Sequence, residues 1–321
     1  MVGELAVVFG GSGFVGRNVV RELAKRGWRV RVAVRRPHHA QFLRPMGAVG
    51  QIQLAQANLR DRRSVAEALK GADAVVNCVG ILYESGPQSF AAVQAAGAAT
   101  IAELAAAEGV RRFVQISAIG ADAEGESQYA RSKAEGEAAV RAAIPTATIL
   151  RPSIIFGPED GFFNRFAAMA AAAPALPLIG GGETEFQPVY VDDVADAVAA
   201  ALERPEAAGA VYELGGPRVY SFRALMELTL AVIGRKRLLA PIPFGVASLM
   251  GLAGEVAGFL PFMKPPITRD QVTLLKYPNV VAAGARGLGD LGIAPTSVEA
   301  IVPTYLYRYR KYGQFAERPA G

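Results

Sequence analysis

The chain predicts an α/β fold: a doubly wound parallel sheet with a smaller, interleaved C-terminal lobe. Three observations predict it. Apolar, strand-like runs alternate with helical runs from the N-terminus to about residue 152. Three glycines, Gly10, Gly13 and Gly16, join the first strand-like run to the first helical one. After Pro158 the alternation fades, so the last part of the chain builds something other than further strand–helix repeats.

The first run, Leu5–Phe9, is continuously apolar, as a strand buried on both faces must be. Gly10 turns the chain sharply off that strand. Gly13 lets the backbone approach a pyrophosphate, and Gly16 lets the following helix pack close to the sheet. That helix carries Val15, Val19 and Leu23 on one face, and its N-terminal N–H groups face phosphate. Gly27 ends it.

Residues 28–34 alternate apolar and polar side chains and form the second strand. The position after this strand meets the adenosine ribose in a dinucleotide fold, where a carboxylate favours NAD(H). Here the chain reads Arg35-Arg36-Pro37. A guanidinium pairs bidentately with a 2′-phosphate, so the pair favours NADP(H) over NAD(H); the alternative is a solvated arginine pair at a strand end.

Further strands are expected at 52–57, 74–79, 112–117 and 147–150, with helices at 64–69, 90–107 and 129–143 between them. Beyond Pro158, helices are expected at 162–173, 194–202 and 222–233, with Asp192 as N-cap of the middle one and a late strand at 212–214. The expected division is a dinucleotide-binding (Rossmann) core of residues 1–157 plus about 186–216, and a smaller lobe of about 158–185 and 217–321.

Composition narrows the function. The net charge of +5 suits an anionic nucleotide or an anionic membrane surface and is too mild to argue for nucleic acid. One cysteine, Cys78, allows no disulfide framework, fits a reducing compartment, and reads as a small buried core residue. The two histidines, His38 and His39, are adjacent and have no cysteine partners, so no metal site is expected. The first strand begins almost at residue 1, which leaves no room for a signal peptide.

The reactive candidates are Ser117, Tyr129 and Lys133. Tyr129-Ala130-Arg131-Ser132-Lys133 places a phenol and an ammonium at i and i+4, on one helix face. A phenol titrates near pH ~10, and a neighbouring cation lowers that value, making the tyrosine a usable acid or base. Ser117 closes the fifth strand, and ligands bind at strand C-termini in such sheets. The alternative is an exposed tyrosine and lysine.

Together with Arg151-Pro152-Ser153-Ile154-Ile155-Phe156-Gly157, these motifs resemble the extended or atypical short-chain dehydrogenase/reductase superfamily over almost the whole chain. Tyr129 to Glu137, Phe156-Gly157-Pro158-Glu159-Asp160, Gln187-Pro188-Val189-Tyr190-Val191 and Pro266-Ile267-Thr268-Arg269-Asp270 further resemble its branch of nucleotide-binding accessory subunits of respiratory complex I, the alpha-subcomplex subunit nine family. The resemblance implies a tightly held NADPH. It implies Gly10, Ser12, Gly13, Phe14 and Val15 at the pyrophosphate and Arg35 at the 2′-phosphate. It implies Asn58 and Leu59 near adenine, Val79 and Gly80 along the ribose, and Ser117, Tyr129, Lys133 and Pro152 around the nicotinamide. In that branch the nucleotide is structural. The expectation is therefore an NADP(H)-binding accessory or assembly subunit of a bacterial complex I. It would be cytoplasmic, peripheral on the inner face of the membrane, with partners near the junction of the peripheral and membrane arms. Because Ser117, Tyr129 and Lys133 are all present, a free-standing NADPH-dependent reductase or dehydrogenase is the alternative.

A second informative stretch is 235–263. Arg235-Lys236-Arg237 precedes a nearly all-apolar run interrupted by Pro241, Pro243 and Pro261. The part between the last two prolines falls short of the about 20 apolar residues a spanning helix needs. It reads either as an interfacial docking element or as a helical cap over a substrate cleft. The basic, aromatic tail at 305–312 either reaches lipid headgroups or a partner, or is an ordinary terminal helix.

Overall fold

The computed structural model describes residues 3–257 and 267–315. They form two compact units. One comprises residues 3–152, 191–214 and 282–294; the other comprises 153–190, 215–257, 267–281 and 295–315.

The first unit is built on seven parallel strands: β1 (Leu5–Phe9), β2 (Arg29–Val34), β3 (Ile52–Gln56), β4 (Ala74–Asn77), β5 (Arg112–Ile116), β6 (Thr148–Pro152) and β7 (Val211–Leu214). Their order across the sheet is 3-2-1-4-5-6-7. The helices are α1 (Phe14–Lys25), α2 (Arg62–Leu69), α3 (Ala96–Ala107), α4 (Gln128–Ala143) and α5 (Val191–Glu203). Helices α1 and α5 pack together, as do α3 and α4. The apolar faces of α2, α3 and α4 (Val65, Leu69, Ile101, Ala105, Val140) close over Val7, Phe9, Val75, Phe113 and Ile149 of the sheet.

Small residues set how closely these layers approach. A Cβ on Gly136 of α4 would lie 2.6 Å from the Gln94 carbonyl and 3.5 Å from the Ala98 methyl of the neighbouring helix. The alanine-rich α3, entered through a π-turn at Ala91–Ala95, leaves room for that contact. β1 lies between β2 and β4, so the strand order reverses beside it. In a doubly wound sheet that reversal opens a crevice at the C-terminal strand ends. The expected doubly wound parallel sheet is therefore present.

Two residue-level expectations need correction. Asp192 does not cap its helix: α5 starts one residue earlier, at Val191, and Asp192 lies in its first turn. A carboxylate there still suits the helix dipole, and Asp192 pairs with Arg21 of α1. Cys78 lies just past β4, which ends at Asn77; the residue as a whole is partly covered, while burial of its thiol pushes the pKa up to about 12.

The second unit has short strand pairs: Ile155–Phe156 with Val189–Tyr190, Glu185–Phe186 with Tyr220–Ser221, and Ala175–Ile179 with Leu238–Ile242. Its helices span Phe163–Ala172, Phe222–Ile233, Phe244–Ala257, Arg269–Leu274 and Val298–Leu306. The core joins Phe156, Phe163, Leu176, Phe222, Met226 and Val302. The buried Asp160 carboxylate accepts N–H bonds from Gly157, Phe162 and Asn164 and the Tyr305 hydroxyl proton, tying the last helix to the 157–164 turn.

The apolar stretch after Arg237 begins as the strand Leu238–Ile242, and the part between Pro243 and Pro261 is helical over Phe244–Ala257; residues 258–263 lie outside the described part, as does Pro266. Helix Phe244–Ala257 is inverted in its packing. Ala247, Gly251 and Gly254 face inward, and Gly251 sits against the Thr268–Arg269 backbone. Val246, Leu249, Met250 and Leu252 face solvent, Leu249 with 68% of its surface exposed. Among the described residues no helix is long and apolar enough to cross a membrane.

Candidate functional site

The predicted site residues of the first unit lie at or after the C-terminal ends of strands, except Phe14 and Val15, which open α1, and Tyr129 and Lys133, which lie on α4. The glycine turn follows β1. Its Gly10 has φ +75° and donates its N–H to the Ala33 carbonyl of β2 at 3.2 Å. A Cβ on Gly10 would lie 3.1 Å from the Cys78 and Val79 backbone, and one on Gly16 would lie 2.3 Å from the Gly10 carbonyl. Both glycines are required by the fold itself. Gly13 differs: it is exposed, its φ of −75° suits any residue, and its Cβ would meet only the Gly10 carbonyl at 3.2 Å. Its missing side chain leaves the mouth of the turn open. Ser12 and Gly13 precede the first turn of α1, which begins with Phe14 and Val15 and has no side-chain cap. Its leading N–H groups are thus available to an anion.

Arg35 stands just beyond β2, exposed, with its guanidinium held 2.8 Å from the Gln88 amide oxygen. Asn58 and Leu59 follow β3. The Asn58 side chain accepts the Arg60 N–H, and Leu59 packs toward Gly97 of α3. Val79 and Gly80 follow β4. The Val79 N–H donates to Asn77 Oδ1 at 3.0 Å, and Asn77 Nδ2 donates to Gln115 Oε1 at 2.9 Å. This buried amide bridge fixes the ends of β4 and β5 side by side.

Ser117 follows β5 with its N–H on the Leu150 carbonyl at 2.7 Å. Its hydroxyl is buried and, among the described residues, has no hydrogen-bond partner. An orphan buried hydroxyl is costly, and a ligand that reaches it removes the cost. Lys133 is buried, and its Nζ lies 3.3 Å from the Ile116 carbonyl and 5.7 Å from the Tyr129 ring centre. A Cβ on Gly80 would lie 3.4 Å from that same Nζ, so Lys133 and the β4 end share one space. Burial pushes the Lys133 ammonium down to about 8, with Glu137 and Cys78 acting in the opposite direction. Tyr129 meets Phe90 edge-on at 5.8 Å. Pro152 ends β6, and its carbonyl accepts the Ile119 N–H at 3.0 Å. Behind this group Arg151 forms a two-pronged pair with the buried Glu137 at 2.9 and 2.6 Å.

Sequence reasoning missed the Asn77–Gln115 bridge, Gln88 beside Arg35, Phe90 beside Tyr129, and Glu137. Only Glu137 left a readable signal, since it is one further helical turn beyond Lys133. The arrangement suits a dinucleotide: an open glycine turn and helix start for phosphates, a cation at the β2 end, and a serine–tyrosine–lysine group where a nicotinamide and a carbonyl would meet. The orphan Ser117 hydroxyl and the vacant Cβ position of Gly13 both fit such an occupant.

Residues 6–215 match the NAD dependent epimerase/dehydratase family. Over 318 residues the chain is 36% identical to NADH dehydrogenase [ubiquinone] 1 alpha subcomplex subunit 9, mitochondrial, of Arabidopsis thaliana, covering 97% of this chain and 79% of that protein. It is 34% identical over 241 residues to the ceramide reductase of Caulobacter vibrioides, covering 74% of each. Among solved structures, the triphenylmethane reductase of Citrobacter sp. superposes with a TM-score of 0.74 at 19% identity, covering 94% of this chain and 99% of that one.

Proposed function

The chain belongs to the NAD-dependent epimerase/dehydratase family, and from that premise we propose that it is an NADP(H)-binding accessory or assembly subunit of a bacterial respiratory complex I. The observation that carries the proposal is the 36% identity to a complex I subunit over 97% of this chain. Membership implies a nicotinamide dinucleotide. The choice of NADP(H) rests on Arg35-Arg36 in place of a carboxylate after β2.

In this reading Gly10, Ser12, Gly13, Phe14 and Val15 hold the pyrophosphate, and Arg35 holds the 2′-phosphate. Asn58 and Leu59 line the adenine side, and Val79 and Gly80 the ribose. Ser117, Tyr129, Lys133 and Pro152 surround the nicotinamide. The nucleotide then acts as a structural ligand, filling the crevice and satisfying the Ser117 hydroxyl. The exposed apolar face of Phe244–Ala257 and the basic Arg235-Lys236-Arg237 triplet support docking of the second unit near a membrane surface, beside partner subunits at the junction of the two arms. Affinity-tagged protein recovered from native membranes is expected to bring down complex I subunits; recovery of the tagged chain alone overturns the assignment.

One observation favours a second reading. Ser117, Tyr129 and Lys133 are all present, and a relative over 74% of the chain is a ceramide reductase. As an NADPH-dependent reductase the chain would use Tyr129 to deliver the proton, Lys133 to lower the cost of the phenolate, and Ser117 to polarise a carbonyl; the hydride belongs to the cofactor. Tyr129→Phe separates the readings. An accessory subunit keeps supporting complex I activity with this change, whereas a reductase loses its turnover.

A further inference from the structure

Lys133 and Glu137 stand four residues apart on α4, the spacing at which a lysine and a carboxylate close an ion pair along a helix. In this structure the pair stays open. Both carboxylate oxygens of Glu137 are taken by Arg151 of β6, which donates from Nε at 2.9 Å and from one Nη at 2.6 Å. The Lys133 Nζ turns instead to the Ile116 carbonyl at the end of β5, 3.3 Å away, and to the space that Gly80 leaves after β4. Glu137 is 5% exposed, so water does little to screen its charge.

The Arg151 guanidinium has a second anchor. Its other Nη lies 3.8 Å from one carboxylate oxygen of Glu213 on β7, and the other oxygen of Glu213 accepts the Ala282 N–H at 2.8 Å. Charges therefore alternate from α4 across the sheet: Lys133, Glu137, Arg151, Glu213. A planar guanidinium matches a carboxylate with two parallel bonds, which holds Glu137 in place as well as neutralising it. Without Arg151 the Glu137 carboxylate would be a buried charge lacking its partner, a costly state. The charges that act on Lys133 are Glu137 on its own helix and the Cys78 thiol after β4, while Tyr129 presents its ring centre 5.7 Å from Nζ. Lys133 is then the cation one helical turn from Glu137, and closing that pair would draw Nζ back along α4, away from the strand ends.

We propose that Arg151 is a positioning residue: by occupying Glu137 it keeps the Lys133 ammonium at the strand ends, where the nicotinamide end of the dinucleotide would lie. Arg151 acts only through Glu137 and Lys133. The proposal deepens the nucleotide reading above and rests on it, since that reading places Lys133 beside the nicotinamide. It carries an asymmetry that a plain structural clamp lacks. Removing the cation Arg151 disables Lys133, whereas removing the anion Glu137 leaves nothing to capture it.

Two measurements on the full chain test it. The first needs no nucleotide: lysine ¹³Cε NMR follows the Lys133 ammonium, its resonance assigned by its loss in Lys133→Met. Wild type is expected to titrate near pH 8, Arg151→Met at about pH 9 or above, and Arg151→Met/Glu137→Gln at or below the wild-type value. The second is fluorescence titration with NADPH at about pH 6.5. Arg151→Met is expected to weaken NADPH about tenfold, Glu137→Gln alone by less than about threefold, and the double variant to recover most of the loss. A Lys133 titration that Arg151→Met leaves in place, or a double variant that recovers nothing, makes the Arg151–Glu137 pair a structural clamp and overturns the proposal. Should Arg151→Met fail to fold, Arg151→Lys, which offers one bond in place of two, gives the same comparison with and without Glu137→Gln, with smaller changes. A folded wild type that binds no NADPH refutes the nucleotide reading, and the NMR titration still decides whether Arg151 governs Lys133.

Discussion

At the scale of single residues, the three glycines of the turn do different work. Gly16 has backbone 2.3 Å from where a Cβ would sit, and that backbone cannot move without moving β1. Gly16→Ala is expected to destabilise the chain by about 1–3 kcal/mol in urea titrations, with or without nucleotide. Gly13→Ala is expected to keep the stability of the unliganded chain while losing most of its dinucleotide affinity, because its Cβ would project into the turn mouth. A variant that unfolds, or that binds normally, would contradict this division.

Lys133 gives a pH signature. Its ammonium titrates near 8 in the folded chain, against 10.5 when unperturbed. Below about pH 8 both states hold the proton, and the folded state bears the full cost of the buried charge. Between about 8 and 10.5 the unfolded state holds more protons, so stability from this group rises with pH. Lys133→Met is therefore expected to stabilise the nucleotide-free chain by about 1–3 kcal/mol at pH 7, and by progressively less as pH approaches 10. Chemical denaturation at the two pH values reads this, and a pH-independent difference would assign the effect to packing instead.

At the scale of elements, helix Phe244–Ala257 carries its large apolar side chains outward and its small ones inward. Leu249 is 68% exposed, so Leu249→Asp is expected to change folding stability by less than about 0.5 kcal/mol. The same substitution is expected to reduce recovery of the chain with native membranes severalfold. Unchanged recovery would show that this face is not used for docking. The element also shows what periodicity alone conveys. The prolines after Arg237 mark the break before the helix at Phe244, but they do not say that Leu238–Ile242 pairs with Ala175–Ile179 as a strand. Hydropathy reports burial need but not which partner strand lies alongside. By contrast, the Phe222–Ile233 helix was legible in full, because Ser221 caps it and Gly234, at φ +63°, stops it.

At the scale of the whole molecule, the nucleotide is expected to behave as a structural ligand. NADPH at about 100 times its Kd adds about 2.7 kcal/mol to the stability of the state that binds it. That corresponds to a rise in melting temperature of roughly 5–10 °C at about 2–4 °C per kcal/mol. NADH at the same concentration is expected to give a markedly smaller rise. Equal rises would leave Arg35 without a role in cofactor choice.

Local chemistry alone determined the parallel sheet, the glycine turn, the arginines after β2 and the Tyr129–Lys133 pairing, because each is written in residues within a few positions of one another. The order 3-2-1-4-5-6-7, with β7 arriving from far along the chain to lie beside β6, was decided only by tertiary structure. So were the Asn77–Gln115 bridge, the orphan hydroxyl of Ser117, the burial of Lys133 and the two-pronged hold of Arg151 on Glu137. The physical reason is that these depend on contacts between segments distant in sequence. Burial, desolvation and side-chain partners come from the assembled sheet and helices, and no window of the sequence contains them.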